Sequence, residues 1–99
     1  MAERSRYLVA YDVREARRLR RVHKVVKDYG YPLQYSVFVC DLTAIELIGL
    51  KSDLEGEAHL GEDSIAIFDL GRPTGRGVEC IEFLGVRRRM EEPDEPAIW

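Results

Sequence analysis

Apolar and polar positions run along this chain in blocks whose period changes several times. Tyr7–Asp12 is apolar up to its last residue and rich in β-formers, which predicts a strand covered on both faces or nearly so. The period then turns helical. Leu19, Val22, Val26 and Tyr29 fall on one stripe, and Gly30 and Pro32 supply the stop signals. Leu33–Cys40 predicts a second strand, with Tyr35, Val37 and Val39 on one face and Ser36, Phe38 and Cys40 on the other. Thr43 and Glu46 have the spacing of a capping box and open a helix through Ile45, Leu47, Ile48, Leu50 and Leu54, with Gly56 and Gly61 at its exit. Ser64–Leu70 predicts a strand, Gly71–Gly77 a turn and Val78–Leu84 a further strand. Arg87–Arg89 and the acidic stretch through Pro96 predict a surface tail. Its apolar end, Ala97-Ile98-Trp99, suits docking on a neighbouring subunit. The organisation expected is one domain over 1–85 and a charged tail over 86–99.

Strands interleaved with two helices predict one sheet with both helices on the same face. The other face then meets water or a partner, and its aromatic and branched residues favour a partner. Length supports this: 99 residues bury only about 60–70% of the surface of the unfolded chain, so the core is thin and dimerisation helps it. No apolar run approaches the roughly 18 residues that span a bilayer, and Met1–Arg6 carries no secretory pattern. Cys40 and Cys80 each lie in an apolar run, outside any metal-like spacing, and are expected as buried reduced thiols of a cytoplasmic protein. The net charge of −3 hides an asymmetry. Residues 1–27 hold nine Lys/Arg against three Asp/Glu, whereas residues 28–99 hold six against fifteen. A basic N-terminal third on an acidic molecule predicts one face built for a polyanion.

Tyr11-Asp12-Val13 closing the first strand, the Arg-rich helix, Gly30 and Pro32, Gln34–Phe38 with Cys40-Asp41-Leu42, and Glu62–Ile65 together resemble the Cas-two family of CRISPR-associated proteins. The likeness runs from about Tyr7 to Leu84. It implies an α+β, ferredoxin-like βαββαβ fold with an extra C-terminal strand and a homodimer formed through the sheets. In that fold Gly30–Leu42 is a short strand followed by a longer one, a break the hydrophobic pattern does not show. The resemblance also implies a role in spacer acquisition, bridging the Cas-one integrase while duplex DNA is held. Members are further described as metal-dependent endonucleases acting on single-stranded RNA or double-stranded DNA.

Asp12 is the sharpest candidate for chemistry. A carboxylate at the end of a strand, beside the mouth of a helix, suits Mg2+ or Mn2+; a two-fold dimer brings a second copy, and waters and phosphate oxygens complete the shell. The resemblance assigns the matching Asp as catalytic metal ligand. The residues alone equally allow Asp12, three before Glu15, to cap the helix. Arg14, Arg17, Arg18, Arg20, Arg21 and Lys24, followed by Lys27, give that helix a polar face of one sign, which predicts phosphate contact. Tyr11, Ser36 and Phe38 are carried over as cleft or interface residues, with the core as the plain alternative for Tyr11 and the sheet or interface for Ser36 and Phe38. His23 and His59 form no metal pair by spacing, and Gly71–Gly77 lacks the Lys-Ser/Thr of a phosphate loop. An mRNA-cleaving toxin of the same fold is the alternative function.

Overall fold

The computed structural model describes residues 3–85. The chain runs β1 (Ser5–Asp12), α1 (Ala16–Lys27), β2 (Tyr31–Gln34), β3 (Val37–Leu42), α2 (Ala44–Glu57), β4 (Ser64–Gly71) and a single turn of helix, α3 (Arg76–Glu79). The four strands form one antiparallel sheet in the order β2-β3-β1-β4, so the α+β class and the βαββ…β order expected above are present.

Strand parity decides what each face holds. Val9 lies opposite Phe38 and Ile67, Tyr7 opposite Cys40, and Tyr11 opposite Ile65. These residues point to one side, where Val22 and Val26 of α1 and Leu50 and Leu54 of α2 close the core. The intervening positions point the other way: Leu8, Ala10 and Asp12 on β1, Val37 and Val39 on β3, and Ala66 and Phe68 on β4. Both helices therefore cover one face; on the other Phe68 is exposed, Leu8, Ala10, Val37 and Ala66 are half-buried and Val39 is buried, with Asp12 at one corner. At the opposite end Arg6 and Asp41 form a two-point ion pair, Nε to Oδ1 at 2.8 Å and Nη2 to Oδ2 at 2.9 Å.

The helices start and stop for local reasons. The Thr43–Glu46 capping box is complete: Glu46 N–H donates to Thr43 Oγ1 (3.1 Å) and Thr43 N–H to Glu46 Oε1 (2.9 Å). α1 ends when Tyr29 and Gly30 N–H both turn back on the Val26 carbonyl. Gly30 is required there by space. A Cβ at this position would lie 2.6 Å from Cys40 Sγ and overlap the Val39 carbonyl oxygen. β2 and β3 are joined by the two residues Tyr35 and Ser36, which confirms the break implied by the resemblance. Ser36 is held at φ 55, in the left-handed region, and its carbonyl accepts the Tyr11 N–H at 3.0 Å, tying the turn to the end of β1.

One expectation fails. Val78–Leu84 is not a strand: Arg76–Glu79 is helical, and no strand follows β4 among the described residues. Arg72 carbonyl accepts both Gly75 and Gly77 N–H, and Cys80 N–H donates to Arg76 carbonyl, so the glycine turn winds directly into a helical turn. An alternating pattern marks residues that suit a strand, but it does not make them pair with one. The expected tail over 86–99, its apolar end included, lies outside the described residues. Among the described residues no helix is long and apolar enough to cross a membrane.

Candidate nucleic-acid interface

Asp12 closes β1 opposite Ser64, on the sheet face away from the helices. Its side chain is 73% exposed, and its ionic neighbour is the Arg14 guanidinium, 4.0 Å from Oδ2. It does not cap α1. β1 runs through Asp12, Val13 is buried, and the helix begins only at Ala16. The cap is Glu15, whose two carboxylate oxygens accept the Arg18 N–H (2.9 Å) and Arg17 N–H (3.0 Å). Those bonds hold the Glu15 carboxyl below its usual range. The capping alternative for Asp12 is thereby removed, and the carboxylate is left facing solvent.

The basic residues divide into two groups. Arg17, Arg20, Arg21 and Lys24 are exposed and recur at i, i+3, i+4 and i+7 along α1, which puts them on one solvent-facing stripe. Arg14 stands exposed just before the helix, beside Asp12. Arg18 stands apart from this stripe. Its Nε and Nη2 donate to Asp63 at 2.9 and 3.1 Å, and Nη2 also reaches Glu62 at 3.2 Å. A guanidinium fixed in this way is a structural anchor more than a phosphate ligand.

Tyr11 and Phe38 are not cleft or interface residues. Phe38 is fully buried and Tyr11 5% exposed, both beneath the helices. Their rings stack at 6.3 Å, and His23 meets Phe38 edge-on at 5.3 Å while sharing a 3.0 Å hydrogen bond with the Tyr11 hydroxyl. Burial raises the Tyr11 phenol well above its ordinary range, so it stays protonated. Ser36 is half-buried in the β2–β3 turn, where its carbonyl holds the Tyr11 N–H.

Sequence reasoning assigned no role to His23 or Asp63. His23 is adjacent to the Val22–Val26 stripe, and its ring turns inward. Asp63 lay within the Glu62–Ile65 string without an assignment, because its partners include residues 45 and 49 positions away. Among the described residues no three His, Cys, Asp or Glu side chains gather into a metal site. One chain thus offers a hard oxygen donor of the right kind for Mg2+, but a single one.

A small antiparallel sheet backed by two helices, with a basic stripe on α1 and an exposed carboxylate at the end of its first strand, defines a compact α+β protein. The family model described as CRISPR associated protein Cas2 matches residues 5–76, and the chain belongs to that family. A CRISPR-associated endoribonuclease Cas2 of Thermus thermophilus is 37% identical over 97 residues, spanning 92% of this chain and 97% of its own. The CRISPR-associated endonuclease Cas2 of Halalkalibacterium halodurans is 35% identical over 79 residues, 75% of this chain and 82% of its own. Among solved structures, Streptococcus pyogenes Cas2 at pH 6.5 superposes with a TM-score of 0.70 at 35% identity, covering 81% of this chain and 99% of that one. A hypothetical protein from Thermus thermophilus gives 0.75 at 30% identity, covering 89% and 99%.

Proposed function

We propose that the chain works in spacer acquisition as a ferredoxin-like homodimer, paired through the helix-free sheet face, that holds duplex DNA along α1 and bridges the Cas-one integrase. Family membership gives it a CRISPR-associated role and disfavours the toxin reading. The observation that carries the reading is the exposed stripe Arg17–Arg20–Arg21–Lys24, a helix face of one sign whose mutual repulsion phosphate would relieve. The apolar outer face supports the dimer: Phe38 and Cys40 are already covered by helices, whereas Phe68 on that face is 49% exposed and Tyr31 38%. The test is duplex binding by the triple variant Arg17→Gln, Arg20→Gln, Lys24→Gln. The reading predicts affinity reduced by at least about tenfold with the dimer intact; unchanged affinity refutes it.

Endonuclease activity is the second part of the proposal, supported by the freedom of Asp12 and by the names of the relatives. Packing outer face on outer face brings the Asp12 of both protomers into one interface, and these two carboxylates would hold Mg2+ or Mn2+. Bound there, the metal would supply an activated water and neutralise phosphate charge. Arg14, beside Asp12, would bind the phosphate, and the α1 stripe would hold the strand that follows. RNA and duplex DNA cleavage are to be measured in Mg2+ and in EDTA, wild type beside Asp12→Asn. Cutting that disappears with the Asn variant, while its DNA binding persists, supports the nuclease; wild-type cutting that Asp12→Asn retains removes Asp12 from it.

A further inference from the structure

Asp63 is the one charged residue buried among the described residues, and its carboxylate is wholly enclosed, with 0% side-chain exposure. It sits in the loop between α2 and β4, and each of its oxygens accepts two N–H groups. Oδ1 takes the backbone N–H of Arg14 (3.0 Å) and Nη2 of Arg18 (3.1 Å). Oδ2 takes the backbone N–H of His59 (2.8 Å) and Nε of Arg18 (2.9 Å). A buried carboxylate is tolerated only when its lone pairs are filled in this manner.

Three of these four donors come from one short stretch, the link from β1 into the first turn of α1. That stretch carries Asp12, Arg14 and Arg17. The fourth donor holds the Asp63 loop to itself, and the next residue, Ser64, pairs across the sheet with Asp12. The link is therefore fastened from both sides to one buried charge. We propose that Asp63 is a positioning residue, which aims Arg14, Arg17 and Asp12 at the nucleic acid through its bonds to Arg14 and Arg18 without touching the ligand. This rests on the reading of α1 as the phosphate-contacting face.

A purely structural brace and a positioning residue predict different outcomes, and the sign separates them. Asp63→Asn removes a negative charge near the basic face and releases Arg18. On charge alone it should tighten duplex binding and steepen the salt dependence. If Asp63 aims the contacts, the folded variant instead binds about tenfold more weakly, with a shallower salt slope, because Arg14 and Arg17 no longer reach phosphates together.

The experiment measures duplex affinity by fluorescence anisotropy across a salt series, for wild type, Asp63→Asn and the Arg17/Arg20/Lys24 triple variant, at a temperature where circular dichroism shows each fully folded. Weaker binding and a shallower slope for Asp63→Asn, alongside a weakened triple variant, support the proposal. Equal or tighter binding by Asp63→Asn with a weakened triple variant overturns it and leaves the α1 reading standing. An unaffected triple variant overturns both. Should Asp63→Asn not fold, Arg18→Lys replaces it, since it keeps the charge pair but loses the two-point fork; weaker binding then supports the proposal, and wild-type binding overturns it.

Discussion

Replacing Phe38 by alanine separates a core residue from a cleft residue most sharply. The side chain has no exposure, stacks on Tyr11 at 6.3 Å and meets His23 at 5.3 Å. Removing a ring from such a site costs about 3–5 kcal/mol, of which the aromatic contacts supply about 0.5–1.5. A 99-residue chain has about 5–15 kcal/mol in total, so the loss is about a fifth of its stability or more. For a domain of this size each kcal/mol moves the melting temperature by about 4–8 °C, which predicts a fall of at least about 12 °C. Phe38→Leu, which keeps most of the volume, should cost less than about 1.5 kcal/mol. The assay is thermal unfolding followed by circular dichroism at fixed protein concentration, because the proposed dimer would make the midpoint concentration-dependent. Duplex binding measured well below the midpoint should stay near wild type. A midpoint within about 2 °C of wild type for Phe38→Ala, combined with lost binding, would refute the core assignment and restore Phe38 to the cleft.

Other consequences are equally specific. Gly30→Ala forces a methyl against Cys40 Sγ and the Val39 carbonyl, so it should destabilise by about 1–3 kcal/mol or more in urea unfolding, with the helix-to-β2 turn displaced. Asp12→Ala should leave the urea midpoint unchanged, since the carboxylate is exposed and Glu15 is the cap, whereas Glu15→Ala should lower it. Asp63, Glu15 and Glu46 all have carboxyls held below their ordinary range by hydrogen bonds, from Arg18, from the Arg17 and Arg18 N–H groups, and from Thr43 respectively. Groups depressed on folding contribute fully above their unfolded values, near about 4, and lose that contribution as pH falls through the lower folded values. Unfolding free energy should therefore fall as pH drops below about 4, and less steeply in Asp63→Asn. Burial pushes the Cys40 thiol up to about 12, so it should resist a thiol reagent at neutral pH until the chain unfolds.

Much of this fold is written in local periodicity. The α1 stripe, the Thr43–Glu46 box, β1 and β4 need only neighbours within a turn or a strand to be recognised, whereas the break between β2 and β3 is not in that pattern. Parity also placed Phe38 and Cys40 together on one face of β3, and the structure keeps them there. What parity does not carry is which face the helices cover, and this alone decides that Phe38 is core while Phe68 is exposed. The sequence reads Asp12 as a cap with Glu15 as its box partner, and Glu15 as the cap itself was missed for a similar reason. Both precede the helix, and only the pairing of Asp12 with Ser64 shows that β1 consumes it. Val78–Leu84 has the composition of a strand, but the chain winds into a helical turn at Arg76–Glu79 instead. Arg18 looks identical to Arg17 in sequence; its attachment to Asp63, 45 residues on, makes it an anchor. Asp63 itself was illegible because every donor but one comes from the far side of the chain.

The central claim is that the α1 stripe reads phosphate charge, and the salt dependence of wild-type duplex binding tests it most directly. Each phosphate neutralised contributes about −0.9 to the slope of log affinity against log salt on duplex DNA. In the proposed dimer, two protomers with four stripe residues each, and Arg14 beside them, should give a steep slope, with affinity falling by orders of magnitude between about 50 and about 200 mM salt and little preference among sequences. A duplex affinity that stays level across that range would contradict the account at its base.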